Sequence, residues 1–164
     1  MKLIVSDFDG TYYTNDIDII KNNNFINEFR QHNNIFMLSS GRSFKSLKEM
    51  TKKYNIEYDY LSCCDGSILY DNKDNIIVKY KLNNTIINKF ILLKKYAKIN
   101  RIQYSYDDDY YDKLTSKELI GINIVIDNIN ITNKFLKEFE KLKEQFIDYD
   151  FLIFDIFLLL SFIK

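Results

Sequence analysis

The sequence predicts an α/β fold: a parallel sheet wound with crossover helices, joined to a second lobe of mixed helices and strands. Up to Cys63, short apolar runs rich in β-branched residues alternate with amphipathic stretches, which is the order strand, helix, strand, helix, strand. Each run ends in a polar loop. Past Leu82 the order of elements changes, and neither an internal repeat nor a Gly/Ser linker marks the join.

Lys2-Leu3-Ile4-Val5-Ser6 predicts a buried strand that ends at Asp7. Phe25, Ile26 and Phe29 form the stripe of a helix from Asn22 to His32. Ile35-Phe36-Met37-Leu38 predicts a second strand, followed by Ser39-Ser40-Gly41-Arg42. Ser43 then caps a helix whose apolar face is Phe44, Leu47, Met50 and Tyr54. A third strand spans Tyr58 to Cys63. Strands joined by helices pair in parallel through right-handed crossovers, and such sheets bind ligands beyond their carboxyl ends. Those ends carry Asp7, Ser40 and Asp65, so three polar loops converge on one rim. Ser67-Ile68-Leu69-Tyr70 and Ile76-Ile77-Val78-Lys79-Tyr80 flank a polar turn and predict a β-hairpin. In the second lobe Ile86, Phe90, Leu93 and Ala97 mark a helix, and Ile102 to Tyr106 and Ile122 to Asp127 mark strands. Phe135, Phe139, Leu142 and Phe146 mark another helix, and a last strand begins near Asp150.

Composition narrows the function. The 46% apolar and 28% charged fractions over 164 residues are those of a folded chain with a sizeable core. Lys+Arg and Asp+Glu balance at 23 each, which argues against nucleic acid or an anionic membrane as partner. Cys63 and Cys64 are adjacent and read as buried thiols in a reducing cytoplasm. The single histidine, His32, reads as a surface residue rather than a metal ligand. The start lacks the apolar core and cleavage site of a signal peptide.

Asp7-Phe8-Asp9-Gly10-Thr11 carries the chemistry. Two carboxylates separated by one residue suit phosphoryl transfer: Asp7 can attack phosphorus, and Asp9 can protonate the leaving oxygen and then deprotonate water. Gly10 permits a sharp exit from the strand. The Asp7 carboxylate and the Asp9 carbonyl are hard oxygens of the kind Mg²⁺ takes. In the second loop the Ser40 hydroxyl and the amides around Gly41 can hold a phosphate ahead of a helix.

These residues resemble a known family. Asp7-Phe8-Asp9-Gly10-Thr11 matches the first motif of the haloacid dehalogenase-like (HAD) superfamily, and Ser40-Gly41-Arg42 resembles its second, usually Thr-Gly-Arg. Cys64-Asp65-Gly66-Ser67-Ile68 with Tyr70-Asp71 is similar to the Asn-Gly-Ala segment of the Cof-type (IIB) sugar-phosphatase branch, with Asp65 standing where that branch has Asn. The resemblance implies a partial Rossmann-like parallel core at residues 1–81 and an α+β cap at residues 82–164, incomplete at its C-terminal end. It implies a Mg²⁺-dependent phosphatase of small phosphorylated metabolites such as sugar phosphates, with the cap choosing the substrate. Asp7 would be the nucleophile and Asp9 the acid/base, both also metal ligands. Thr11 would brace the Asp7 loop, Ser40 and Gly41 would hold the phosphate, and Arg42 would reach the substrate or the cap. A dehalogenase fits less well, because a general acid at Asp9 suits phosphate release.

Two further motifs of the superfamily, a lysine after the cap and an acidic Gly-Asp-x-x-x-Asp loop, have no counterpart; Lys143 and Lys164 lack the context. Removing one electrostatic donor costs roughly 10²–10³ in rate, so this chain alone is expected to be a weak or inactive enzyme. It would then be a remnant, a binding module, or half of a split enzyme completed by another chain. The run from Phe157 to Lys164 reads as a frameshift or premature stop in a longer gene rather than a membrane tail, being shorter than the ~20 residues a span needs. An exposed sheet edge predicts self-association. Asp107-Asp108-Asp109 with Asp112 reads as a solvated turn, and Tyr110-Tyr111 beside it as packing.

Overall fold

In the computed structural model β1 (Leu3–Asp7), β2 (Ile35–Ser39) and β3 (Tyr60–Cys63) lie side by side in chain order, all parallel. The register runs from Leu3 opposite Ile35 to Asp7 opposite Ser39, so the carboxyl ends of β1 and β2 are level. The structure describes residues 1–82, 84–96, 99–126, 132–146, 151–154 and 157–160. The chain divides into two compact units, Met1–Lys79 and Tyr80–Lys164.

The hairpin β4 (Ile68–Asp71) and β5 (Ile76–Lys79) does not stand apart from this sheet. It extends it in the order β1-β2-β3-β4-β5, with antiparallel pairing from β3 onward. The sheet is therefore mixed, because four residues between β3 and β4 allow a tight turn but no crossover.

Helix α1 (Asp16–Gln31) starts six residues before the predicted Asn22. Asn15 caps it, its side chain accepting from the Ile17 and Asp18 amides at 2.9 Å each. The buried stripe is Ile19 and Ile26; Phe25, expected on that stripe, is 59% exposed. Helix α2 (Phe44–Lys53) follows the expected Ser43 cap, whose hydroxyl accepts from the Ser46 amide, and buries Leu47 fully. Phe8, Phe36, Leu38, Leu61 and Ile68 join it in the core. Arg30 near the end of α1 forms a bidentate pair with Asp59 just before β3, at 3.0 and 2.9 Å, and Asp59 also accepts from the Phe36 amide of β2. One carboxylate thus ties together a helix and two strands.

The second unit holds α3 (Asn84–Leu92) with a 3-10 turn at Leu93–Lys95, β6 (Ile99–Ser105), β7 (Tyr110–Tyr111), β8 (Gly121–Ile126), α4 (Asn133–Gln145), β9 (Phe151–Phe154) and β10 (Phe157–Leu160). Its sheet is antiparallel, in the order β7-β6-β8-β10-β9. Leu93, Tyr106, Ile122, Ile124, Phe135 and Phe139 build its core. The apolar run that reads oddly at the end of the sequence contains β10, paired on both sides, with Leu158 opposite Ile124 and Ile153. An unbroken apolar run carries no period, which is why its strand character is hard to read. Ala97, Asp127, Asp150, Asp155 and Lys164 lie outside the described residues, as do the side chains of Ile86 and Phe90. No helix among the described residues is long and apolar enough to cross a membrane.

Asp107–Asp109 form the turn between β6 and β7, where the Tyr111 hydroxyl donates to Asp108 at 2.9 Å and Lys117 pairs with the same carboxylate. Among the described residues no group of three or more His, Cys, Asp or Glu is placed to hold a metal.

Candidate active site

The alternation of strand side chains carries past the end of β1: Asp7 and Asp9 are exposed, and Phe8 between them is fully buried. A D-x-D spacing therefore delivers two carboxylates to one solvent face while the middle residue anchors the loop. Phe8 stacks on Tyr13, with ring centroids 5.7 Å apart, and the Arg42 guanidinium sits 5.4 Å from its ring centroid. The loop closes on itself: the Tyr12 amide donates to the Asp7 carbonyl at 3.0 Å, Tyr13 to Phe8 at 2.8 Å, and Gly10 to Tyr13 at 2.9 Å. Gly10 has φ +82 with open space where a Cβ would point, so backbone conformation rather than crowding calls for glycine. The Thr11 hydroxyl reaches Asp7 Oδ2 at 3.4 Å, a long contact.

The Phe8 amide donates to the Ser39 carbonyl at 3.1 Å, which continues the β1–β2 pairing and brings the first loop to the second. There Ser40 is buried, its amide bonded to the Ser62 carbonyl and its hydroxyl accepting from the Arg42 amide at 3.2 Å. A Cβ on Gly41 would fall 2.6 Å from Asp65 Oδ1, so a side chain here would have to displace that carboxylate. Arg42 turns toward the first loop: Nε and Nη2 bond the two Asp9 carboxylate oxygens at 2.8 and 2.9 Å, and Nη1 donates to Ser46 at 3.0 Å. The hydrogen bonds from Arg42 hold the Asp9 carboxyl below the usual carboxylate range, outweighing partial burial, with a lesser contribution from Ser40. In this arrangement Asp9 is poised to accept a proton; donating one requires the guanidinium to let go.

The third loop is the turn after β3. Cys64, Asp65 and Gly66 all have positive φ, at 51, 55 and 89, and the Cys64 amide donates to the Arg42 carbonyl at 2.9 Å. Asp65 is half-buried, and burial pushes its carboxyl up to about 6. Sequence reasoning placed Asp65 on the rim without a role, and it passed over Ser46. The signals were present: Asp65 departs from the Asn of the similar branch, and Ser46 lies one helical turn beyond Arg42. Asp7, Asp9, Thr11, Ser40, Gly41 and Arg42 are thus brought together on one rim of the first unit.

For Mg²⁺, the Asp7 carboxylate and the Asp9 carbonyl offer two hard oxygens from neighbouring residues. That donor chemistry fits an ion that commonly takes one or two carboxylates and completes its shell with water and substrate phosphate.

A model of haloacid dehalogenase-like hydrolases matches residues 4–160. The chain belongs to this family. An uncharacterized protein of Mycoplasma capricolum is 36% identical to this HAD-like chain over 91 residues, which span 52% of the chain and 34% of that relative's length. Among solved structures, a haloacid dehalogenase-like hydrolase from Bacillus subtilis superposes with TM-score 0.77 at 12% identity, covering 99% of this chain and 73% of the other. A HAD subclass IIB sugar phosphatase superposes with TM-score 0.64 at 12% identity, covering 99% and 70%. At such identities the likeness is one of fold, and it is the fold of the branch that the third-loop motif resembles.

Proposed function

We propose that this HAD-like chain is a Mg²⁺-dependent phosphatase for small phosphorylated metabolites such as sugar phosphates, with Asp7 as its nucleophile. The observation that carries the reading is the pair of exposed carboxylates, Asp7 and Asp9, held level with the buried Ser40 loop by the β1–β2 register. Asp7 attacks phosphorus and forms an aspartyl-phosphate while the leaving oxygen takes a proton from Asp9. Asp9 then removes a proton from the water that hydrolyses the intermediate. A substrate phosphate competes with Asp9 for the Arg42 guanidinium, which releases Asp9 to take up the proton that it donates. When bound, Mg²⁺ neutralises charge on the phosphoryl oxygens. Sugar phosphates enter because a structural neighbour is a sugar phosphatase. The buried thiols of Cys63 and Cys64 accord with a cytoplasmic setting.

The test is release of phosphate from a generic aryl phosphate, with and without Mg²⁺. The reading expects metal-dependent release that Asp7→Asn lowers at least ~10³-fold. Release indifferent to both metal and mutation would contradict it. A second reading, half of a split enzyme or a binding module, is favoured by one observation: β1 ends its sheet among the described residues with Leu3 and Val5 exposed. Activity that emerges only when a second polypeptide is added would decide for it.

A further inference from the structure

Asp65 has no part in that mechanism, yet its carboxyl rests on the middle of the phosphate loop. A Cβ on Gly41 would meet Asp65 Oδ1 at 2.6 Å and Cγ at 3.4 Å. The backbone is bent to bring it there: Cys64 and Asp65 both adopt left-handed φ, which is disfavoured for residues other than glycine. Two main-chain bonds stitch this turn to the loop, Cys64 N–H to the Arg42 carbonyl at 2.9 Å and Asp65 N–H to the Ser40 carbonyl at 3.4 Å. The backbone of the turn is therefore held beside Ser40-Gly41-Arg42, and from there the carboxyl lies against Gly41.

Resting on the phosphatase reading above, we propose that Asp65 is a positioning residue whose charge governs anion binding at Ser40–Arg42. Neutral, it leaves the loop able to take a phosphate; ionised, it repels one through Gly41. The charged and titratable groups on the surrounding elements include Arg42 in the loop, Lys45, Lys48, Glu49, Lys52 and Lys53 on α2, Asp7 and Asp9 on the first loop, and the Cys63 and Cys64 thiols on its own strand and turn. The Arg42 guanidinium is bonded to Asp9 and Ser46. Burial holds the Asp65 carboxyl up to about 6, and so its charge changes within the range where enzymes work. The sign is set by that rise: the neutral form, and with it anion binding, is lost as pH climbs through the raised value.

Sulfate is the probe, because it stays a dianion between about pH 5 and 8 and its own charge does not move. The full chain and Asp65→Asn, both checked for fold by circular dichroism, are titrated with sulfate at several pH values. Affinity of the parent should fall about twentyfold between about pH 5.5 and 7.5, while the isosteric amide binds at a constant level. Parallel pH profiles in the two proteins would overturn the role of Asp65 and leave the phosphate loop standing. Failure of both to bind at any pH would overturn the phosphate reading together with this one. A second pair reads the contact independently: Gly41→Ala should weaken sulfate binding, and adding Asp65→Ala should restore it. No rescue would contradict the placement of the carboxyl.

Discussion

Arg42 reaches Asp9 with two N–H···O bonds of 2.8 and 2.9 Å across 33 residues of sequence. The pair lowers the Asp9 carboxyl, chiefly through those hydrogen bonds, and raises the Arg42 guanidinium in turn. A carboxyl depressed in the folded state contributes stability above its unfolded value and loses it as pH falls through the folded one. Half the Asp9 side chain is exposed, so solvent screening limits the pair to about 1 kcal/mol at most. Arg42→Ala should therefore return the Asp9 carboxyl to its ordinary range in an NMR titration, and cost no more than about 1 kcal/mol near neutral pH. An unmoved Asp9 titration would contradict the pair. At this scale Asp7, Asp9 and Ser40 were legible because each follows an apolar run directly. The Arg42 partner and the Asp65 contact were not, since both are settled by tertiary approach between loops far apart in sequence.

Among the elements, the joint of α1 with β2 and β3 is the clearest case of one side chain organising several. Asp59 takes two bonds from Arg30 and one from the Phe36 amide, and these depress its carboxyl against partial burial. Asp59→Asn should destabilise the chain by about 1–3 kcal/mol at neutral pH, with the difference from the parent shrinking as pH falls through the lowered Asp59 value. Denaturant melts at several pH values check this, and a pH-independent difference would speak against an ionic clamp. The three parallel strands and α2 could be read from apolar runs and the Ser43 cap. The true start of α1 could not, because its first turns, Asp16 to Lys21, bury only Ile19 and depend on the Asn15 cap. Strand β10 was missed for a different reason: a run without alternation takes its structure from the strands on either side, β8 and β9.

At the scale of the whole molecule, charge and surface lead us to propose association. The net charge is zero, β1 ends the first sheet among the described residues, and Leu3, Val5, Ile17, Ile20 and Phe25 are exposed. We expect reversible self-association through the β1 edge, weakened about tenfold or more by Val5→Lys, which puts a charge on that edge. Sizing against concentration reads it; a parent chain that stays monomeric at all concentrations would remove the edge from the account. The central claim, that Asp7 is a nucleophile toward phosphorus, has a direct test. The chain is mixed with Mg²⁺ and an aryl phosphate, quenched in acid, and its peptides are weighed. The account predicts one added phosphoryl group on the peptide bearing Asp7, absent from Asp7→Asn. A folded chain that gains no phosphoryl group, or gains one elsewhere, would contradict it.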